Sequence, residues 1–482
     1  MLDNSVIIAL AALAALAAGA TALRYPRLCF GILFLVAAMS METLGTPLGQ
    51  MRPEMPAVVV VAAVLLAGGR FESIRHLPRT TLMMCLAFGT YLAVLAISSA
   101  FVAPGRSQSL HWVGWLALSM LSGVVAFVLV RPRPFGAIQP LAFGGAAMGA
   151  LGIVLAGVFL VAGPDVHPGI QDWNAALPRV FGAAWEANLY ASFLAICAFF
   201  ALEAARTRRS VPGLVMLALV LVGFPLGITR GAYLGLIAGA IAYVFARLVI
   251  ERRPVDLLRY GSMSTALVVV GIAASAVMLP NLLHRPPPGP IAVASTGPTA
   301  TPGPSISPGL TPSPGLTPSP SPTAIATPAP TLALPSTPDT LAYRMERVNL
   351  AVGELGQSPL IGFGATSFGQ RHPDRYNGPG PDYIAVMAIQ VIYESGVVGA
   401  TALSLGFLLL LWSLWIAARL FAAQHDTRGV GACAGFIAAI ACMLVAYQAT
   451  SSYQFALNWI IIGAASALVV SQNSKASPSS GD

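Results

Sequence analysis

Apolar residues fill this chain in stretches close to the ~20 residues that a helix needs to cross hydrocarbon. Thirteen such stretches are readable, over about 4–22, 28–46, 55–69, 80–103, 110–130, 136–163, 183–203, 211–227, 230–249, 261–280, 396–418, 430–449 and 452–471. The pattern predicts an all-α protein, a polytopic transmembrane helical bundle of 12–13 spans. The third stretch is short and the sixth long. The first opens Met1-Leu2-Asp3-Asn4, with no basic residue, and reads as a retained span, not a cleaved signal.

One segment interrupts the series. From 286 to 338 the chain carries no charge, and 17 of its 38 prolines fall between Arg285 and Asp339. This segment holds the tandem Gly309-Leu310-Thr311-Pro312-Ser313-Pro314 and Gly315-Leu316-Thr317-Pro318-Ser319-Pro320. It lacks the apolar content to pack, so a tether of partly polyproline II character is expected. After it, Thr337 as N-cap, Pro338 at the first helical position and the stripe Leu341, Met345, Val348, Val352 and Leu355 predict an amphipathic helix, closed by Gly356 and Pro359. A second amphipathic stretch, Asp382 to Glu394, sets Tyr383, Met387, Gln390 and Glu394 on one side, against or just inside the outer leaflet. The resulting organisation is transmembrane helices 1–10 over 1–280, a Pro/Thr/Ser-rich tether over 281–338, an ordered loop with amphipathic helices over 339–395, transmembrane helices 11–13 over 396–471, and a tail over 472–482.

Composition supports the membrane reading. Of 482 residues, 56% are hydrophobic and 9% charged, whereas ordinary soluble domains carry roughly 25% charged residues. That charge cannot cover a water-soluble globule, so the apolar surface faces a lipid bilayer. The net charge of +8 reflects arginines gathered in short breaks, at Arg70/Arg75/Arg79, Arg131/Arg133, Arg206/Arg208/Arg209 and Arg247/Arg252/Arg253/Arg259. Short cytoplasmic loops accumulate such residues. The N-terminus and the long loop are therefore expected outside a plasma membrane and the C-terminus inside, and nothing points to nucleic acid. The 5 cysteines lie in apolar runs without ligand spacing and read as small core hydrophobes.

Several arginines stand on the opposite side, where loops meet spans: Arg179, Arg230, Arg344, Arg347, Arg371 and Arg375. An arginine at membrane depth costs ~2.5 to 3.5 kcal/mol on insertion scales. Its guanidinium fork suits a phosphate or diphosphate, and the natural anion at a membrane face is a lipid head group with a leaving phosphate. Arg230, in Gly227-Ile228-Thr229-Arg230-Gly231, and the pair Arg344 and Arg347, three apart on one helix, are the main candidates. Arg52, Arg106 and Arg285 read as solvated or snorkelling, and Arg371 and Arg375 as loop surface.

In order and spacing these residues resemble the O-antigen ligase and polymerase superfamily. The resemblance rests on Arg179-Val180-Phe181-Gly182 with Asn188 entering a span, Thr229-Arg230-Gly231-Ala232, the long loop with Arg344 and Ser358-Pro359-Leu360-Ile361-Gly362-Phe363-Gly364, and Glu394-Ser395-Gly396-Val397-Val398-Gly399. It covers roughly 175 to 470. It implies a GT-C-like bundle with one long extracytoplasmic loop, acting without metal or cofactor as a glycosyltransferase. The donor would be a polyprenyl diphosphate-linked glycan and the acceptor a hydroxyl of a glycan or glycolipid. On that reading Arg230 and Arg344 hold the diphosphate, with Arg179 beside them, and Asn188, Arg347 and Glu394 border the substrate.

The chain departs from the family at one place. A His-Asn pair is usual about nine residues before the motif glutamate, and Ala385 and Val386 stand there instead. His372 and Asp382 are the nearest groups able to accept a proton from the acceptor hydroxyl. Without a dedicated base, arginine stabilisation of the departing diphosphate would carry the reaction, closer to a polymerase. No phosphate-binding Gly-rich loop, His-Glu-x-x-His or Gly-x-Ser-x-Gly motif competes, and Lys475 is the only lysine. A transporter or flippase without chemistry is the reading from another class.

Overall fold

In the computed structural model the apolar runs fold as helices whose ends alternate between two faces of one bundle. The structure describes residues 17, 19–38, 44–46, 49–52, 54–162, 170–174, 177–184, 186–208, 211–251, 340–373, 384, 386–450 and 452–476. Most of the expected first span, the expected tenth span, the proline-rich tether and Asp382 lie outside them.

The helices are α1 Pro26–Ala38, α2 Glu54–Ala67, α3 Arg79–Phe101, α4 Arg106–Val130, α5 Ile138–Ala162, α6 Ala187–Arg208, α7 Val211–Gly223 and α8 Arg230–Glu251. After the tether come α9 Thr340–Glu354, the short α10 Ser367–Arg371, α11 Met387–Ala423, α12 Thr427–Ala446 and α13 Ala456–Ala476. Two small antiparallel hairpins, β1 Leu44–Thr46 with β2 Gly49–Met51 and β3 Ile170–Asn174 with β4 Leu177–Val180, decorate one end. Among the described residues seven helical segments are long and apolar enough to cross a membrane, and four shorter apolar helices accompany them. The bundle is thus compatible with a multi-pass membrane protein.

In a bilayer the helices gain little from hiding apolar surface from one another, so close approach at small residues drives their packing. The seam between α8 and α12 shows this. Gly231, Gly235 and Gly239 recur every fourth residue and so form one stripe along α8. A Cβ on Gly235 would stand 2.7 Å from the Cys442 carbonyl, and one on Gly239 2.8 Å from that of Ala438. Large side chains such as Leu66, Phe101, Leu234, Leu408 and Trp412 point outward instead.

The faces differ. One, here called the basic end, carries Arg27, Arg79, Arg131, Arg133, Arg206 and Arg428 at helix termini. The other, the loop end, gathers the hairpins, the start of α8, and α9 through the start of α11. Two sequence expectations change here. The eleventh span starts at Met387, not 396, and runs to Ala423 through a break at Gly396. Gln390 and Glu394, expected against the leaflet, are 4% and 1% exposed inside the protein.

Candidate functional site

Arg230 owes its position to a tight entry into α8. The 3-10 turn Phe224–Gly227 ends at Ile228, which adopts the left-handed conformation (φ 47°, ψ 56°) and swings the chain into the helix. Thr229 is then buried with its hydroxyl among three acceptors: the Gly227 carbonyl at 2.9 Å, Asn188 Oδ1 at 3.2 Å and the Ala187 carbonyl at 3.4 Å. Behind it Gly231 lies so close to the turn after α12 that a Cβ would meet that of Ala449 at 2.5 Å. Arg230 itself is exposed at the helix N-terminus, where the positive end of the helix dipole adds to its charge. Asn188 therefore faces Thr229 and holds the entry. Strand β4 packs beside the same 3-10 turn, with Arg179 opposite Gln171 in its register.

The second pair of arginines lies on α9, and its orientation differs from the expected stripe. Ala351 is fully buried and Val348 and Leu355 pack with it, whereas Met345 and Val352 are about half exposed. The inward face keeps Val348 and Leu355 of the expected stripe Leu341-Met345-Val348-Val352-Leu355 but is turned by about 45° toward Ala351, at about 100° per residue. That rotation brings Arg344 and Arg347, both half-buried, to the flank facing the protein. The reason is Glu354, which shares this flank and is claimed by partners on α10 and α11.

Glu354 is a hub that the sequence reading missed. Its carboxylate accepts from Tyr393 Oη at 2.5 Å and from Arg371 Nε at 3.2 Å, and lies 3.3 Å from His372 Nε2. Arg371 reaches Gln357 Oε1 at 2.8 Å and lies over the Phe363 ring, 4.2 Å from its centroid. Burial works against ionisation, but the hydrogen bonds from Arg371 and Tyr393 win and hold the Glu354 carboxyl below its ordinary range. Partial burial likewise disfavours the Arg371 cation, and the bond to Glu354 outweighs it and raises the guanidinium's pKa. Arg371 is therefore a structural ion pair, not loop surface, and His372 has a carboxylate to orient it.

The third element is the break in α11. Gly396 sits at φ 63°, ψ −172°, so the helix cannot continue its own hydrogen bonds there. The loop after α9 replaces them from both sides. Phe363 and Gly364 amides donate to the carbonyls of Tyr393 and Glu394, each at 2.8 Å, while the amides of Val397 and Val398 donate to Pro359 and Leu360 at 2.9 and 3.1 Å. Only glycine fits at the crossing, since a Cβ on Gly362 would lie 2.5 Å from the Glu394 carbonyl carbon. The Glu394 side chain completes the lacing. It accepts from the Thr366 amide at 3.0 Å, Gln390 Nε2 at 2.9 Å and Tyr453 Oη at 3.2 Å, with Tyr91 Oη 3.0 Å beyond. Glu394 thus forms part of the scaffold, and the motifs Ser358 to Gly364 and Glu394 to Gly399 are two halves of one joint.

Arg52, read as solvated, is 7% exposed, with its guanidinium 5.1 Å from the Trp115 ring and 4.1 Å from that of Phe455. Cation–π contacts of this kind replace water around the charge. At the loop end the structure groups Thr229, beside Arg230, with Asn188, and separately groups Glu354 with Arg371, His372 and Tyr393. The start of α11 is tied toward the start of α8 by Gln448, whose Oε1 accepts from the Ala388 amide at 3.1 Å one residue before Ala449, the contact of Gly231. Arg344 lies ten residues from Glu354, about 15 Å along the helix, so His372 and Arg344 do not share one contact point. Compared with known proteins, the chain matches no family model and no curated protein.

Proposed function

We propose that the loop end transfers a glycan from a polyprenyl diphosphate carrier to an acceptor hydroxyl, as an O-antigen ligase-like enzyme of envelope polysaccharide synthesis with a GT-C-like bundle. The observation that carries the reading is the turn of α9, which directs Arg344 and Arg347 toward the protein flank at the same end as the exposed Arg230. Guanidinium groups on two braced helices suit the two phosphates of a departing diphosphate.

In the proposed reaction the acceptor oxygen bonds to the anomeric carbon, the bond from that carbon to the diphosphate oxygen breaks, and polyprenyl diphosphate leaves. The acceptor proton passes to a base. His372 is the described candidate: Glu354 engages its Nε2 and leaves Nδ1 to accept, and Arg347 is the nearer α9 arginine, two helical turns from Glu354. By its position Asn188 braces Thr229, and Glu394 braces the loop. The active face is the outer face of a plasma membrane, with the C-terminus cytoplasmic.

The test is an envelope polysaccharide profile, with extracted lipid-linked precursors, in a deletion strain carrying wild type, Arg230→Ala or Arg344→Ala. Loss of product with accumulated long precursors supports ligation, and accumulated single repeat units support polymerisation. Lysine at either position is expected not to rescue, because it lacks the bidentate fork. Full activity in both alanine variants would end the proposal. Movement of a solute or lipid-linked sugar without chemistry is the second reading, and an unchanged glycan profile would point to it.

A further inference from the structure

The basic end contains a cavity of about 990 Å³ between α1, the Pro134–Ala137 turn, α5, α6, α7 and α12, far from the loop-end arginines. Arg27, Arg131, Arg133 and Arg428 line it. Gly136 has no side chain, and a Cβ there would lie 2.6 Å from Arg27 Nε, so its absence lets that guanidinium lie against the turn. Glu203 also borders the cavity, but its carboxylate is held by Arg206 at 3.2 Å and by the Tyr243 hydroxyl. The lining changes character with depth. Along α1 it runs from Arg27 to Leu28, Ile32 and Leu35, about 12 Å at 1.5 Å per residue. Along the turn and α5 it runs from Arg133 to Phe143. Leu28, Ile32 and Phe143 are 57%, 41% and 59% exposed, so this apolar wall opens sideways onto the bundle surface.

We infer that this cavity binds a phosphate-headed anionic lipid, with the phosphate among Arg27, Arg131 and Arg133 and an acyl chain along Leu28, Ile32 and Phe143. A soluble anion would use the arginines but not the apolar wall, and a neutral lipid would use the wall but not the arginines. Only an anionic lipid uses both, and basic pockets between membrane helices are suited to such head groups. The inference does not depend on the chemistry assigned to the loop end.

The experiment uses the purified full chain, delipidated and then exposed to mixed micelles of phosphatidylcholine and phosphatidylglycerol, with retained lipid counted by native mass spectrometry. Wild type is expected to retain phosphatidylglycerol selectively. The combined Arg27→Gln, Arg131→Gln and Arg133→Gln variant should retain at least about tenfold less, given about one kcal/mol per arginine near an anionic head group. Arg79→Gln with Arg419→Gln, at the same end but outside the cavity, should match wild type. Equal retention by the cavity variant, or equal loss in the control pair, would overturn the site. A second measurement needs only wild type: long-chain phosphatidylglycerol should displace bound lipid, whereas glycerophosphoglycerol and inorganic pyrophosphate should not. Displacement by either soluble anion would overturn the lipid assignment.

Discussion

At the loop end Glu394 is 1% exposed and takes its hydrogen bonds from a backbone amide, a glutamine amide and a tyrosine hydroxyl; at the basic end Glu203 is 2% exposed and meets Arg206 and Tyr243. A buried carboxylate needs partners in either place, but the kind of partner decides what it organises. Glu394 collects donors from the loop after α9, from α11 and from Tyr453, so it fixes segments far apart in sequence. Glu203 joins α6 to α8 and, through the Arg206 contact with the Thr427 carbonyl at 3.3 Å, to the start of α12. The loop end is a joint in which polar groups replace broken helix bonds. The basic end is a sealed cluster beside an open cavity. In both, the buried charges serve architecture, and the arginines able to meet a ligand lie on the rims.

The largest expected effect comes from filling the joint. Gly362→Ala forces a left-handed alanine, about 1–2 kcal/mol, and a Cβ onto the Glu394 backbone, about 1–3 kcal/mol of overpacking. A marked fall in thermal midpoint of the detergent-solubilised protein should result. Gly89→Ala, in α3 with nothing near the added carbon, should be neutral or slightly stabilising, since alanine is the better helix former. A normal midpoint for Gly362→Ala would mean that the loop does not lock the broken helix.

The isosteric amide tests the two carboxylates directly. Glu203→Gln removes the carboxylate charge that faces the Arg206 cation at 3.2 Å, a guanidinium with 16% exposure, at a cost of about 2 kcal/mol once partial solvation is allowed for. Glu394→Gln keeps its carbonyl on the amide donors and turns its NH₂ to the Tyr453 hydroxyl, which can rotate to accept, so the loss should stay under about 1 kcal/mol. Glu394→Ala removes every acceptor and should cost about 3 kcal/mol. Thermal midpoints of the three variants check the order. An amide at Glu394 as harmful as one at Glu203 would mean that the carboxylate's charge, not its geometry, matters there.

The helices were legible in the sequence because hydrocarbon demands long apolar runs, and eleven of the thirteen expected stretches fall on described helices. The Gly396 break was not, because Glu394 to Gly399 looks the same whether its glycine ends a loop or splits a helix; only the loop amides and carbonyls across from it distinguish the two. Likewise the stripe of α9 was misoriented because Leu341, Met345 and Val352 outweighed, by hydropathy, a single ion-paired Glu354. Arg206 and Arg247 read as part of the charge of one membrane side, yet Arg247 is 1% exposed: charge position in sequence marks a membrane side, not burial. Arg230 needed no correction in place, since a helix start flanked by glycines is a local signal.

The smallest effect separates the two ends by pH. The folded Glu354 carboxyl sits below its ordinary range: burial opposes this, but the hydrogen bonds from Arg371 and Tyr393 prevail. A depressed folded value means that the unfolded chain takes up the proton first. The stabilisation is therefore complete above the unfolded glutamate value of about 4.3 and is lost as pH falls through the lower folded value. With Glu354 partly solvated at 16% exposure, the contribution should be under about 1 kcal/mol. Thermal midpoints between pH 6 and 3 should fall less steeply below about 4.3 for Glu354→Gln than for wild type. The variant should begin lower at neutral pH and the two curves should converge in acid. Parallel curves over that whole range would show that the α9 flank, and with it the inward turn of Arg344 and Arg347, does not depend on the Glu354 carboxylate.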